Sequence, residues 1–150
     1  MKQVLVRAAN NGQVRLTTSV LAIAALLWFI FLAPSPAALQ NRQWQLEAAQ
    51  TVDGTVLWAP TPGHFTMTFH DHTIEGRGAC NSFDGHVRVT RPVNGLSFSW
   101  IFITLVACLP PDNASESAFL GALNSATQYE IRSDKLYIYY DASTKALVFK

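Results

Sequence analysis

Charge is scarce in this chain. Only 14% of its 150 residues are Asp, Glu, Lys or Arg, and 11 basic against 10 acidic side chains leave a formal net charge of +1. A balance so close to zero excludes the concentrated basic footprint that nucleic-acid binding requires. Cysteine is scarcer still, with two. Cys80 and Cys108 stand too far apart to supply the close ligand pairs of a structural zinc site. None precedes Cys80, so the early part of the chain has no cysteine to carry a lipoprotein anchor. No internal repeat or low-complexity tract is present. The length excludes a multidomain machine, because a single core takes about 100 to 150 residues. A hydrophobic share of 49%, with four tryptophans, excludes a disordered chain.

What is there divides into two compositions. Residues 1–19 carry Lys2, Arg7 and Arg15 and no acid, and Val20 to Ala33 is an unbroken apolar run. Pro34 and small residues follow. A basic leader, an apolar stretch and a small-residue exit form the three-part grammar of a secretory signal, with Ser35 and Ala37 placed for a cut after Ala37. Extended through Thr17 to Ser19, the run also reaches about the shortest length that spans a bilayer, so an uncleaved anchor is the alternative. Either way the positive leader stays inside and the remainder is exported, which gives a periplasmic location, free or anchored to the inner membrane through residues 20–33. A third reading, a buried helix of a cytosolic protein, fits the two cysteines poorly. The expected organisation is a signal or anchor over 1–37, a spacer over 38–41 and one domain over 42–150. Without the leader, eight basic residues face all ten acids, so the exported body is mildly acidic.

That body reads mainly as strands. Trp44 and Leu46 begin an alternating pattern, and Phe65, Met67 and Phe69 alternate with Thr66 and Thr68, the period of two expected of a half-buried strand. His70-Asp71-His72 reads as a hairpin tip, with Ile74 resuming beyond it. Val87 and Val89 share a face opposite His86, Arg88 and Thr90. Asn94-Gly95 is a hairpin signal because both positions tolerate positive φ. Leu96, Phe98 and Trp100 then alternate with Ser97 and Ser99. Asn113-Ala114-Ser115-Glu116 has capping-box spacing and predicts an amphipathic helix over 114–126, with Phe119, Leu123 and Ala126 on its apolar face. Turns at Ser133-Asp134 and Asp141 to Thr144 separate the closing strands. Short strands joined by hairpins imply antiparallel pairing. The fold class is therefore α+β, mainly β: a small curled antiparallel sheet or partial barrel with one amphipathic helix, preceded by the signal or anchor segment.

The run Gly76-Arg77-Gly78-Ala79-Cys80-Asn81-Ser82-Phe83-Asp84-Gly85, followed by Thr104-Leu105-Val106-Ala107-Cys108, resembles the META domain, the HslJ-like family of bacterial envelope proteins. Trp44 suits the Trp-x-Leu opening of such domains, and the resemblance covers about residues 42–150. It implies a small, mostly antiparallel fold with one helix, association with heat-shock response and novobiocin resistance, and no enzymatic activity or agreed catalytic residues. The chain departs from many relatives in lacking a lipoprotein cysteine and in having Ile103 and Val106 in the second motif.

Each motif residue also has a physical reading. Gly76, Gly78 and Gly85 permit positive φ or close backbone approach, suiting bulges and tight turns in a bent sheet. Asn81 and Asp84 are placed to bond turn amides, and Phe83 and Thr104 complete the structural set. Cys80 and Cys108, an exported even pair, read most simply as a disulfide, whose loop would be worth about 3 to 4 kcal/mol by chain entropy. The alternative is a reactive thiol at Cys80 with a histidine base. His70, His72 and Glu75 could hold a metal if a strand kept them on one face, but a hairpin tip spoils that alignment. No catalytic residue, metal or cofactor is expected. The function expected is a non-enzymatic envelope module acting in stress tolerance through a protein, peptide or lipid, with Trp58 and the tyrosines Tyr137, Tyr139 and Tyr140 as candidate surface. The alternatives are a small apolar ligand held inside the curled sheet, or a metal- or thiol-dependent hydrolase.

Overall fold

A computed structural model describes residues 36–91 and 93–150. The leader expected over 1–37, with its apolar run, lies outside the described residues but for Pro36 and Ala37. Among the described residues no helix is long and apolar enough to cross a membrane.

The described residues form nine strands and one helix: β1 (Gln43–Thr51), β2 (Val56–Trp58), β3 (Thr66–Phe69), β4 (Thr73–Arg77), β5 (Ser82–Thr90), β6 (Gly95–Ile103), α1 (Asp112–Asn124), β7 (Gln128–Arg132), β8 (Lys135–Tyr140) and β9 (Lys145–Phe149). Every strand pairing is antiparallel. β1 pairs with β3 through Gln43↔Thr68 and Gln45↔Thr66, and with β9 from Leu46↔Phe149 to Thr51↔Lys145. The sheet therefore closes on itself, and closure removes most of the exposed edge an open sheet would carry. Short β2 extends it beside the second half of β1.

The ring has one narrow join. β6 and β7 share the single pair Gly95↔Gln128, supported by bonds from Leu96 N–H to Thr127 O at 3.0 Å and from Tyr129 N–H to Asn94 O at 3.0 Å. α1 lies between these two strands in the chain. Its Phe119 ring meets Phe65, Phe83 and Phe149 at centroid distances of 5.1, 5.7 and 6.4 Å. These rings come from widely separated parts of the ring of strands, so the helix stoppers the interior rather than lying along its outside. Trp44, Phe65, Met67, Phe69 and Leu136 fill the rest. An apolar ligand inside the sheet would find that space occupied by side chains. Leu39, within the expected spacer, is buried, and its carbonyl accepts the Trp44 indole N–H at 3.0 Å.

The period-two readings at Phe65–Phe69 and Val87–Val89 agree with burial on those strands. Two local readings need correction. The helix runs two residues earlier than 114–126, with Pro111 at its N-cap and no side-chain cap bond; the Asn113 oxygen accepts only from its neighbour Ala114 N–H at 2.8 Å. Trp100 does not share the face of Leu96 and Phe98. It sits at φ +53° beside a register shift opposite Gly85, and is 71% exposed. Of the two roles read for Gly76, Gly78 and Gly85, the structure takes close approach: none of the three has positive φ. A Cβ on Gly76 would lie 2.2 Å from the Thr66 carbonyl oxygen, and one on Gly85 would lie 3.3 Å from Ile101 Cα across the bulge. The hairpin read at Asn94-Gly95 joins β5 to β6, with only Asn94 left-handed.

Candidate functional site

Three features meet where β4 and β6 end and β5 begins: a polar clasp, an apolar ridge and a groove. The clasp begins with Glu116. One turn before Phe119, it falls on the buried stripe of α1 and is 6% exposed. Its carboxylate enters the loop 78–81, which is curled by a bond from Gly78 N–H to Asn81 O at 2.7 Å. Oε2 accepts the N–H groups of Cys80 and Asn81 at 2.8 and 2.9 Å, and Oε1 accepts the Asn81 side-chain amide at 2.5 Å. Buried carboxylates persist only when so satisfied. Burial pushes this carboxyl up, and the donors of Cys80, Asn81 and Ala79 outweigh it, so its pKa lies below the ordinary value. Gly78 leaves the room: a Cβ there would lie 2.5 Å from Glu116 Oε2.

Asn81 passes the restraint on. Its side-chain oxygen accepts Val106 N–H at 2.7 Å and the Thr104 hydroxyl at 2.9 Å, and its amide reaches the Val106 carbonyl at 3.4 Å. Thr104 Oγ1 accepts Ser82 N–H at 3.1 Å. Cys80 and Cys108 form a disulfide with Cα atoms 5.7 Å apart. The segment 104–108 is thus strapped to the barrel by one amide side chain, one hydroxyl and one covalent bridge. Asn81 bonds this strap rather than its own turn, and the Asp84 side chain, exposed on β5, bonds nothing among the described residues.

The strap presents the ridge. Trp100, Phe102, Ile103, Leu105, Val106 and Leu109 are all exposed, Leu105 at 90%, and no charged residue occurs from Leu96 to Pro111. Apolar residues concentrated on one surface mark interaction sites. Beside it, a groove of about 490 Å³ opens on the outer face of β3–β6, between Thr68, Glu75, Arg77 and Asp84 on one side and Phe102 and Ile103 on the other.

The other candidates are placed differently. His70 Nε2 stands 3.4 Å from Glu75 Oε1, an exposed pair, and neither histidine joins a metal-ligating group. Among the described residues the one cluster with ligand spacing is Cys80, Cys108 and Glu116. Its sulfurs are bonded to each other and its carboxylate is taken up by amides. The bridge likewise leaves Cys80 no thiolate for nucleophilic chemistry. Trp58 packs edge-on against Phe65 at 5.7 Å. The tyrosines are half-buried: Tyr139 donates to Glu130 at 2.7 Å, and Tyr137 lies under the Arg132 guanidinium at 4.0 Å. Sequence reasoning missed the ridge and the role of Glu116. The uncharged run Trp100 to Pro111 was the available signal for the first.

Comparison with known proteins fits this architecture. The family model of the META domain matches residues 37–150. The chain belongs to the META domain family. No curated protein matches it. An NMR structure of a protein from Burkholderia xenovorans is similar, with a TM-score of 0.60 and 26% identity over 79% of this chain and 88% of that one. A crystal structure of a DUF4847 family protein from Bacteroides vulgatus shares the fold, with a TM-score of 0.57 and 16% identity over 82% and 95% of the two chains. The resemblance read from Gly76–Gly85 and Thr104–Cys108 therefore holds at the level of the family, and those motifs are the residues of the clasp and strap.

Proposed function

We propose that this META domain is a non-enzymatic binding module of the bacterial envelope that works through the Trp100–Leu109 ridge, in the stress-tolerance role its HslJ-like resemblance implies. The observation that carries the reading is the ridge itself: six large apolar side chains held out to solvent from the end of β6 through Leu109, along a segment that the Asn81–Glu116 clasp and the disulfide fix in place at 104–108. A fixed apolar surface binds without paying the ordering entropy of a mobile one. The Cys80–Cys108 bridge supports the envelope part of the reading, because a structural disulfide belongs in an oxidising compartment.

Complementation tests it. In a strain lacking the gene, Leu105→Ser with Leu109→Ser fails to restore tolerance to heat or novobiocin, while Val56→Ser, at an exposed apolar position on β2 outside the ridge and groove, restores it. Full rescue by the ridge variant at normal protein levels sinks the proposal.

A further inference from the structure

We propose that the groove beside the ridge receives the headgroup of a zwitterionic phospholipid, an amine and a phosphate together, with its acyl chains along Phe102 to Leu109. This rests on the ridge being the binding surface and names what it binds.

The groove separates opposite charges on one face. Glu75 and Asp84 are direct cross-strand partners, and Asp84 is in turn opposite Phe102. Two carboxylates and an aromatic ring thus run side by side across three strands, a setting that attracts an ammonium group. Arg77 lies two residues from Glu75 on the same face of β4, about 7 Å along the strand. Neither Arg77 nor Asp84 has an ion-pair partner among the described residues. A guanidinium so placed is suited to a phosphate, which it can grip through two parallel N–H bonds. A ligand of one sign would satisfy one end and face repulsion at the other. A phosphate and an amine joined by a two-carbon bridge offer both charges at comparable spacing. The groove's apolar wall, Phe102 and Ile103, is also the start of the ridge, so a headgroup seated there leaves its chains beside Leu105, Val106 and Leu109. No charged residue falls between Phe102 and Leu109 along the chain.

The test is native mass spectrometry of the full chain in a non-ionic detergent with equimolar phosphatidylethanolamine and phosphatidylglycerol. One phosphatidylethanolamine is retained in about tenfold preference. Arg77→Gln and Asp84→Asn, both at exposed positions and with unchanged melting temperature, each reduce its retention about tenfold, the effect of losing one charged hydrogen bond. Equal retention of the two lipids, or retention unaffected by either substitution, overturns the assignment. So does a photo-crosslinker at position 102 that joins polypeptide and no lipid in cells. If lipid selectivity is absent while the Leu105/Leu109 variant still loses stress tolerance, the binding surface stands and the lipid headgroup falls.

Discussion

The two halves of this barrel are ordered by different means. From β7 to β9 the chain is a plain meander. Five consecutive residue pairs join β7 to β8 and five join β8 to β9, and the connecting turns at Ser133-Asp134 and Asp141–Ser143 take the positive φ values that suit tight hairpins. The strap from Thr104 to Cys108 has one backbone bond to the sheet, Thr104 N–H to Ser82 O at 3.0 Å, and depends otherwise on side chains. The first region is held by repetition, so no single side chain decides its shape. The second is held by three specific groups, so each matters. Order imposed that way lets an apolar segment stay extended and exposed where a ladder would have paired it.

The largest break of this contrast comes from the bridge. Cys80→Ser with Cys108→Ser lowers unfolding free energy by about 3 to 4 kcal/mol, read from urea denaturation, and loosens the strap while leaving the β7–β9 amides protected. Next is the carboxylate. Glu116→Gln places an amide nitrogen against N–H donors and costs about 2 kcal/mol.

The Glu116 substitution also carries a pH signature. The folded pKa of Glu116 lies below its ordinary value of 4.5. Its stabilisation is fully present above that value and is lost as pH falls through the depressed folded one. The stability gap between wild type and Glu116→Gln therefore narrows on acidification; a gap constant down to strongly acidic pH contradicts the assignment. Glu47, bonded to Lys135, is depressed in the same direction and keeps its own acid dependence in both proteins.

Gly78→Ala sharpens the comparison from the other side. Its Cβ would crowd the carboxylate, costing about 1 to 3 kcal/mol as overpacking does, with the loss largely absent when Glu116 is also removed. Smallest are Leu105→Ser and Asn113→Ala, each within about 0.5 kcal/mol in thermal unfolding, because Leu105 is exposed and Asn113 caps nothing beyond its neighbour.

How much of this was legible follows the range of the interactions. Phe65, Met67 and Phe69 announced their strand because alternation is local, and Ser133-Asp134 announced its turn for the same reason. Glu116 misled because Asn113 to Glu116 has capping-box spacing, while its true partners, Cys80 and Asn81, are 35 and more residues away. Trp100 misled because a bulge reverses alternation without leaving a mark in the pattern of apolar residues. Closure of the ring needed β1 to meet β9, about a hundred residues apart, which no short-range period encodes. The glycines were legible as places of close approach, but not the partner at Gly78, which makes room for a carboxylate from a distant helix rather than for backbone.

The central claim is that a buried carboxylate, acting through Asn81, holds the strap. Hydrogen exchange at the Val106 amide tests it most directly, since among the described residues that N–H donates only to the Asn81 side chain. Val106 should be protected in the wild type while Leu105 and Ala107 on either side exchange freely, and Glu116→Gln should erase that protection with the disulfide intact. A Val106 amide that exchanges as fast as its neighbours, or one still protected in Glu116→Gln, contradicts the account.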